Sequence, residues 1–542
     1  MDLGPVTQQS VEPSTSDTAA PERAASSHRV KRTARSRIPG SWPLAAILAV
    51  QTLLSLRLVR ANTAFVDEAT YLWAGHLEWA SLLHGASLPP FPAYFSGAPV
   101  IYPPLGALAD SVGGLTGARI LSLIFMLGAT VVLWAVTERL HGRRAAFFAA
   151  ALFAIMGPTL HLGSFATYDA MSLFLVALAA WLVVRAGDRQ DATVWMVAAG
   201  VTLVVANATS YASALFDPVV ILLALVIALP KPGGKLAAAR ALTLLAITVL
   251  LATLGLLTGG SRYIHGVQAT TVTRVAGVDS ALVVLTDSWT WTGVIVVAAI
   301  CGVVVSWISR PRQPQTWLLT LVTAAALLVP AEQASLHTTA SLNKHVALGA
   351  WFAAIAAGYA VDKFVAAAPA GNKRAVTAGA CVVALSFPVS LGADQSWVFA
   401  TSWPNSSAFM AILRPLADDS TGHLLVEDPT LAEYYLPAGT QWMRWSSTRN
   451  IILPGGTPTG GPSAQAGVVG DGNAGTFAAY IAEGYFSLVA LNFSDTAPLD
   501  KSIAADLHRN PHYHSVQIVP YGPGPAGPAL GTYKIYLYER AS

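Results

Sequence analysis

Eleven apolar windows, each long enough to cross the ~30 Å hydrocarbon core of a bilayer, constrain this chain more than any motif in it. They lie near residues 42–60, 119–138, 144–163, 168–186, 192–207, 210–229, 240–258, 289–308, 316–331, 346–364 and 375–392. A bilayer offers no water to backbone N–H and C=O groups, so each window must satisfy them internally, as a helix. Charged residues make up only 11% of the chain, against roughly 25% in an average soluble protein. The fold expected is an α-helical polytopic protein of the cell membrane with about eleven transmembrane helices, partnered by the lipid bilayer.

The basic residues orient these spans. Alternate connections hold Arg139, Arg143 and Arg144; Arg185 and Arg189; Lys231, Lys235 and Arg240; Arg310 and Arg312; Lys363, Lys373 and Arg374. The intervening loops hold only Arg262, Arg274 and Lys344. That bias places the N terminus inside and the quieter loops outside, and an odd number of spans puts the C terminus outside as well. Residues 1–41, ending in the basic run Arg29–Arg37, then read as a disordered cytoplasmic tail ahead of an uncleaved signal anchor. Residues 42–392 form the membrane domain, with large outer loops at 61–118 and 259–288.

The tail from 393 to 542 changes character. Its short apolar runs His423–Glu427, Tyr485–Leu491, Ser515–Val519 and Thr532–Tyr538 read as strands. Helical stretches near 429–436, 474–483 and 499–508 alternate with them, and a Pro/Gly-rich break falls at 453–462. Such alternation predicts a small extracytoplasmic α/β domain.

Several classes of function fall away. Cys301 and Cys381 both lie in apolar spans, so no disulfide framework or thiolate metal site is expected. There is no Walker A loop and no G-x-G-x-x-G after a strand, which disfavours a nucleotide-driven pump, and no nucleic-acid partner is expected. A transporter or flippase of lipid-linked sugars would carry ionisable residues in mid-span and internal symmetry. The spans here have nearly none, and the chain's elaboration is confined to one face.

On that outer face the chemistry-bearing residues gather. Asp67-Glu68 head an amphipathic helix expected over Asp67–His84, and no Lys or Arg occurs between Ala61 and Ala118. Adjacent carboxylates at a membrane surface are expensive unless a cation, a donor network or a reacting hydroxyl uses them. Asp169 stands at the outer mouth of the fourth span, either as a plain helix cap or as a third site carboxylate. Tyr102-Pro-Pro-Leu105 makes a stiff lead into the second span. Lys344, His345 and Arg262 are the basic groups best placed to receive a lipid phosphate, although each also suits simple anchoring at the interface. Glu68 and His76 are too far apart on one helix to share an ion directly, at ~12 Å. A divalent metal would need a further ligand such as His84, His161 or His337, so the metal is left unknown.

These residues together resemble the GT-C glycosyltransferases that use polyprenyl-phosphate sugars, in particular the protein O-mannosyltransferase and lipid A aminoarabinose transferase group. The matched pattern is Asp67-Glu68 in the first outer loop, Pro103-Pro104-Leu105 before the second span, Ala118-Arg119 opening it, Asp169 at the fourth span and Lys344 at the tenth. The aminoarabinose transferases carry Lys before Pro-Pro, where this chain has Tyr102. The resemblance implies a GT-C fold and an inverting hexosyl or pentosyl transfer from a polyprenyl-phosphate-sugar donor to an extracytoplasmic acceptor, namely a cell-envelope glycan, lipid or protein. Asp67, Glu68 and Asp169 would be its catalytic carboxylates. Lys344, Arg262, His345 and Tyr102 would serve the donor phosphate, with a divalent metal left open. A non-catalytic scaffold for envelope polysaccharide assembly is the remaining alternative.

Overall fold

The computed structural model describes residues 42–89, 91, 95, 100–187, 189, 191–229, 234–271, 273–274, 276–436, 441–448, 474–494, 496–521 and 531–538. The expected tail 1–41 and the break at 453–462 lie outside the described residues. Residues 43–542 form one compact unit.

Among the described residues, ten helices are long and apolar enough to cross a membrane. The third expected span, 144–163, differs: it is two shorter helices, Arg143–Ala154 and Gly157–Leu162. Pro158 is the cause, because it has no N–H and its ring cannot follow the Ala154 carbonyl along a regular helix. The break is packed tightly. A Cβ on Gly392 of the helix Lys373–Ala400 would stand 1.8 Å from the Ile155 carbonyl oxygen, so only glycine fits there.

The broken helix still has the length to cross. The backbone N–H of Ala166 and the side chain of Arg119 both bond Glu68, so they lie at one level. From that level the chain leaves along the helix Tyr102–His141, turns at Gly142 and returns along Arg143–Leu162. About 20 residues at 1.5 Å per residue give ~30 Å, enough to cross. With it, eleven segments among the described residues are long enough to cross, one of them interrupted.

Tyr102–His141 is also two pieces. Pro103 and Pro104 preset its first turn, and Gly114, with φ 61°, bends it between an outer strut and the membrane span. The helix Val66–His84 lies on that strut. A Cβ on Gly75 would meet the Pro103 carbonyl oxygen at 1.9 Å, so the two backbones touch directly.

The spans are enclosed very unequally. The helices Tyr168–Ala186 and Leu342–Ala367 are each 67% buried, whereas Gly234–Ser261 and Arg374–Ala400 are 11% and 12%. Leu342–Ala367 is rich in alanine, which lets neighbouring backbones approach where lipid supplies no hydrophobic drive. Its Trp351 indole N–H is satisfied by the Ala129 carbonyl at 3.0 Å. The two most enclosed helices carry Asp169 and Lys344 in their first turns.

The C-terminal residues build a five-stranded mixed sheet in the order β2-β1-β3-β5-β4. The strands are β1 (His423–Val426), β2 (Trp445–Ser446), β3 (Phe486–Leu491), β4 (Tyr513–Tyr521) and β5 (Gly531–Tyr538). β1 runs parallel to β2 and β3, and β5 runs antiparallel to β3 and β4. Period-two alternation divides β1: Leu424 and Val426 join one apolar face with Phe409 and Leu413, and Leu425 joins the other with Phe477 and Ile503. The first face also takes Ala64 and Ala69, from the start of the first outer loop.

Two elements carry no signal that the sequence reading used. β2 has only two residues. The helix Ser407–Asp419 contains Pro415, ordinarily a breaker. Pro415 and Ala411, whose carbonyl loses its partner, both face solvent, where water can replace the lost bond.

Candidate active site

Three helix starts converge on the outer loop. Val66–His84 brings Asp67 and Glu68, Tyr168–Ala186 brings Asp169, and Leu342–Ala367 brings Lys344 and His345. Asp67, Glu68 and Asp169 sit in first turns, where unpaired N–H groups and the helix dipole favour negative charge, whereas Lys344 sits in one against the dipole and beside two carboxylates. Ser341, just before the third helix, holds φ 61°, an uncommon conformation for a residue with a side chain. It turns the chain sharply into the helix that carries Lys344.

Lys344 is the centre of the cluster. Its Nζ donates to Asp67 Oδ2 at 2.7 Å and lies 3.8 Å from Asp169 Oδ2. His345 Nε2 is 3.4 Å from Asp169 Oδ1, and Thr167 Oγ1 donates to Asp169 Oδ2 at 2.7 Å. Lys344 also stands over the Phe165 ring, 5.6 Å from its centroid. Asp169 therefore points its carboxylate at side chains across the site, and the plain capping role does not describe it. Its side chain is 2% exposed and that of Lys344 7%, but that of Asp67 is 31% exposed. Asp67 is the carboxylate an incoming molecule can reach.

Glu68 lies elsewhere. It is completely buried, and its oxygens accept Arg119 Nε at 2.8 Å and Arg119 Nη2 at 2.7 Å. The backbone N–H groups of Phe65 and Ala166 add bonds at 3.0 and 2.7 Å. Arg119 spends its remaining donors on the carbonyls of Val59, Asn62 and Thr63. The acidic pair is thus not bare: each carboxylate has a cation, from 51 and 277 positions away. Glu68 fastens three chain segments together under Asp67.

The remaining expected residues fare differently. Tyr102 is fully buried, packed with Tyr71, Phe95 and Tyr168 beneath the helix Val66–His84. Arg262 falls on the helix Gly234–Thr270, and its side chain lies outside what the structure describes. Sequence reasoning missed Thr167, Phe165 and Tyr71. Burial and the neighbouring Tyr168 and Asp67 push the Tyr71 phenol well above its usual range, so it stays a protonated donor beside the carboxylates. Their place just before Asp169 in the Ser164–Ser172 stretch was the only signal for Phe165 and Thr167.

Known proteins were then compared. Residues 107–258 match the family model described as dolichyl-phosphate-mannose-protein mannosyltransferase. A comparison with curated protein sequences found no match. Among solved structures, ArnT from Cupriavidus metallidurans bound to undecaprenyl phosphate is 14% identical with a TM-score of 0.61, covering 92% of this chain and 98% of its own. The fold is that of the GT-C glycosyltransferases. Another GT-C structure, the oligosaccharyltransferase AglB from Archaeoglobus fulgidus in complex with an inhibitory peptide and a dolichol-phosphate, is 15% identical with a TM-score of 0.55. It covers 92% of this chain and 74% of its own. At 14% and 15% identity these likenesses are of fold.

Among the described residues, no three His, Cys, Asp or Glu side chains gather in a way that would hold a metal ion. Asp67 and Asp169 converge instead on the Lys344 ammonium.

Proposed function

We propose that this protein transfers a sugar from a polyprenyl-phosphate-linked donor to an acceptor on the extracytoplasmic face, with inversion at the anomeric carbon. The observation that carries the reading is the pairing of Asp67, partly open, with Lys344, Asp169 and His345 behind it at one mouth of the helix bundle. Such a transfer needs a base at the acceptor and cations at the leaving group. The site presents both kinds of group within one cluster.

In the proposed step, Asp67 takes the proton from the acceptor hydroxyl as its oxygen bonds to the anomeric carbon. The bond from that carbon to the phosphate oxygen breaks on the opposite face. Its electron pair leaves with the polyprenyl phosphate, which gains negative charge. Lys344 and His345 receive that charge, and Asp169 holds both in place. Glu68 positions rather than reacts, because Arg119 and two backbone amides occupy its oxygens. Residues 393–542 lie outside the membrane in this reading, next to the acceptor.

A membrane assay with radiolabelled polyprenyl-phosphate mannose, glucose and arabinose tests the reading. One donor should label an envelope fraction with the wild type and leave it unlabelled with Asp67→Asn. Equal labelling by the two proteins would remove Asp67 as the base. No labelling from any donor would remove the reaction class.

A further inference from the structure

Asp110 lies outside the cluster above, and the mechanism makes no use of it. It sits on the outer strut of Tyr102–His141, four residues before the Gly114 bend. Its Oδ2 is 2.6 Å from His76 Nε2, and its Oδ1 accepts the Tyr434 hydroxyl at 2.8 Å. The side chain is only 10% exposed. An ionised carboxylate only accepts, so His76 carries its proton on Nε2. Burial and the Asp110 charge push the Tyr434 phenol far above its ordinary range, which keeps it a donor.

The three partners belong to three parts of the molecule. His76 is on the helix that carries Asp67, Asp110 is on the strut, and Tyr434 is on the short helix Thr430–Tyr435 of the C-terminal unit. The neighbouring Tyr435 hydroxyl accepts the Ala64 N–H at 2.7 Å, just ahead of Asp67. Trp442, again from the C-terminal unit, donates to the Ser87 carbonyl at 3.1 Å past the far end of the same helix. The outer unit therefore grips the helix Val66–His84 before its start, through its middle and beyond its end.

We propose that Asp110 is a positioning residue that transmits the seating of the C-terminal unit to Asp67. His76 is nine residues from Asp67, or ~13.5 Å along a helix, so Asp110 cannot touch the reacting atoms. It acts through His76, by setting where the helix lies on the strut and hence where the Asp67 carboxylate stands over Lys344. This inference rests on the transferase reading for its kinetic consequence and on the hydrogen bonds alone for its structural one. A shift of ~1 Å in a reacting group can lower a rate about 10²-fold.

The test uses the full chain and the variants Asp110→Asn, Tyr434→Phe and the two combined. Transfer kinetics and hydrogen exchange of residues 62–84 are read together, with residues 342–367 as the internal control. Asp110→Asn should lower kcat by about ten- to a hundredfold with the donor KM within twofold, because phosphate binding is untouched. Exchange in 62–84 should rise and in 342–367 stay unchanged. The double variant should be no worse than Asp110→Asn, since the groups work as one unit. Unchanged exchange in 62–84 overturns the inference, and so does raised exchange with wild-type kcat, which marks a merely structural tie. If the wild type transfers from no donor, the transferase reading fails by itself, and exchange still decides whether Asp110 holds the helix.

Discussion

Lys344 Nζ donates to Asp67 Oδ2 at 2.7 Å, joining residues 277 positions apart. The ammonium that would meet the leaving phosphate is therefore already bonded to the carboxylate that would take the acceptor's proton. Two charges held this close in a partly enclosed site compensate each other before any substrate arrives. In the proposed reaction, a phosphate entering beside Lys344 would compete with Asp67 for it and free the carboxylate toward the acceptor, so that one side chain links donor and base.

Asp67→Asn should insert and fold like the wild type, because the side chain is partly open and the amide can still accept from Lys344. Turnover should fall by about 10²–10⁴, the range for loss of a positioned base. The check is kcat measured beside binding of polyprenyl phosphate, which should persist. Near-normal turnover would show that another group accepts the proton.

Lys344→Ala should act on the donor. A charge-assisted contact contributes roughly 1.5–3 kcal/mol, so the apparent donor constant should rise about ten- to a hundredfold. Asp169 loses its ammonium neighbour at the same time but keeps Thr167 and His345. Titration with polyprenyl phosphate, followed by a thermal shift, measures this without any acceptor. A donor constant within twofold of wild type would leave Lys344 as a helix anchor only.

Glu68→Gln should damage the fold more than the chemistry. Arg119 and Glu68 are 2% and 0% exposed, and removing one partner of so buried a pair costs about 3–5 kcal/mol. The protein level in membranes and the melting temperature should both drop, and whatever protein survives should keep its donor constant. Wild-type stability with a lost kcat would instead place Glu68 among the reacting groups.

Much of this was legible in the chain, for identifiable reasons. Apolar length and the alternation of basic residues are properties of single segments, so the spans could be located, although helices such as Tyr102–His141, Ala281–Ser309 and Lys373–Ala400 run well past the expected bounds. Four of the five strands of the C-terminal sheet announced themselves by short apolar runs between turn residues, and only the two-residue β2 did not. Pairings across the fold were not legible. Arg119 follows directly after the Lys- and Arg-free stretch 61–118, yet nothing in its spacing shows that it folds back on Glu68. Lys344 could be placed on the right face, but its choice of Asp67 and Asp169 depends on three helix starts meeting in space. Tyr102 was legible as the start of a helix, whereas its burial under Val66–His84 follows from a glycine 27 positions earlier, Gly75, that lets the backbones touch.

The C-terminal sheet supplies a pH test. Asp500 is fully buried, receives the Thr496 hydroxyl at 2.8 Å and is pushed up to about 8 by burial and by the adjoining Glu427 carboxylate. An unfolded Asp releases its proton near pH ~4, so between there and about 8 the folded form holds more protons. Stability should decline as pH rises through that window and level off above it. Asp500→Asn removes the titration, so its melting temperature should exceed that of wild type at pH 8.5 and approach it at pH 5. Parallel melting curves for the two proteins across that range would refute the shift.

The final prediction concerns a chain that ends at Ser402. It keeps all the spans and the phosphate-facing pair Lys344-His345, so polyprenyl phosphate should still bind. It loses Trp403, whose carbonyl accepts Asn62 Nδ2 at 2.8 Å and whose indole donates to the Thr63 carbonyl at 2.9 Å. It also loses Tyr434 and Tyr435, and the apolar face on which Ala64 and Ala69 rest. With those contacts gone, the segment that carries Asp67 is no longer held above Lys344. Transfer to the natural acceptor and slow hydrolysis of the donor by water should therefore disappear together. An outer unit that only selected the acceptor would spare the hydrolysis, because water needs no selection. Measuring both reactions on the truncated protein separates the two roles, and retained donor hydrolysis would assign the unit to acceptor recognition alone.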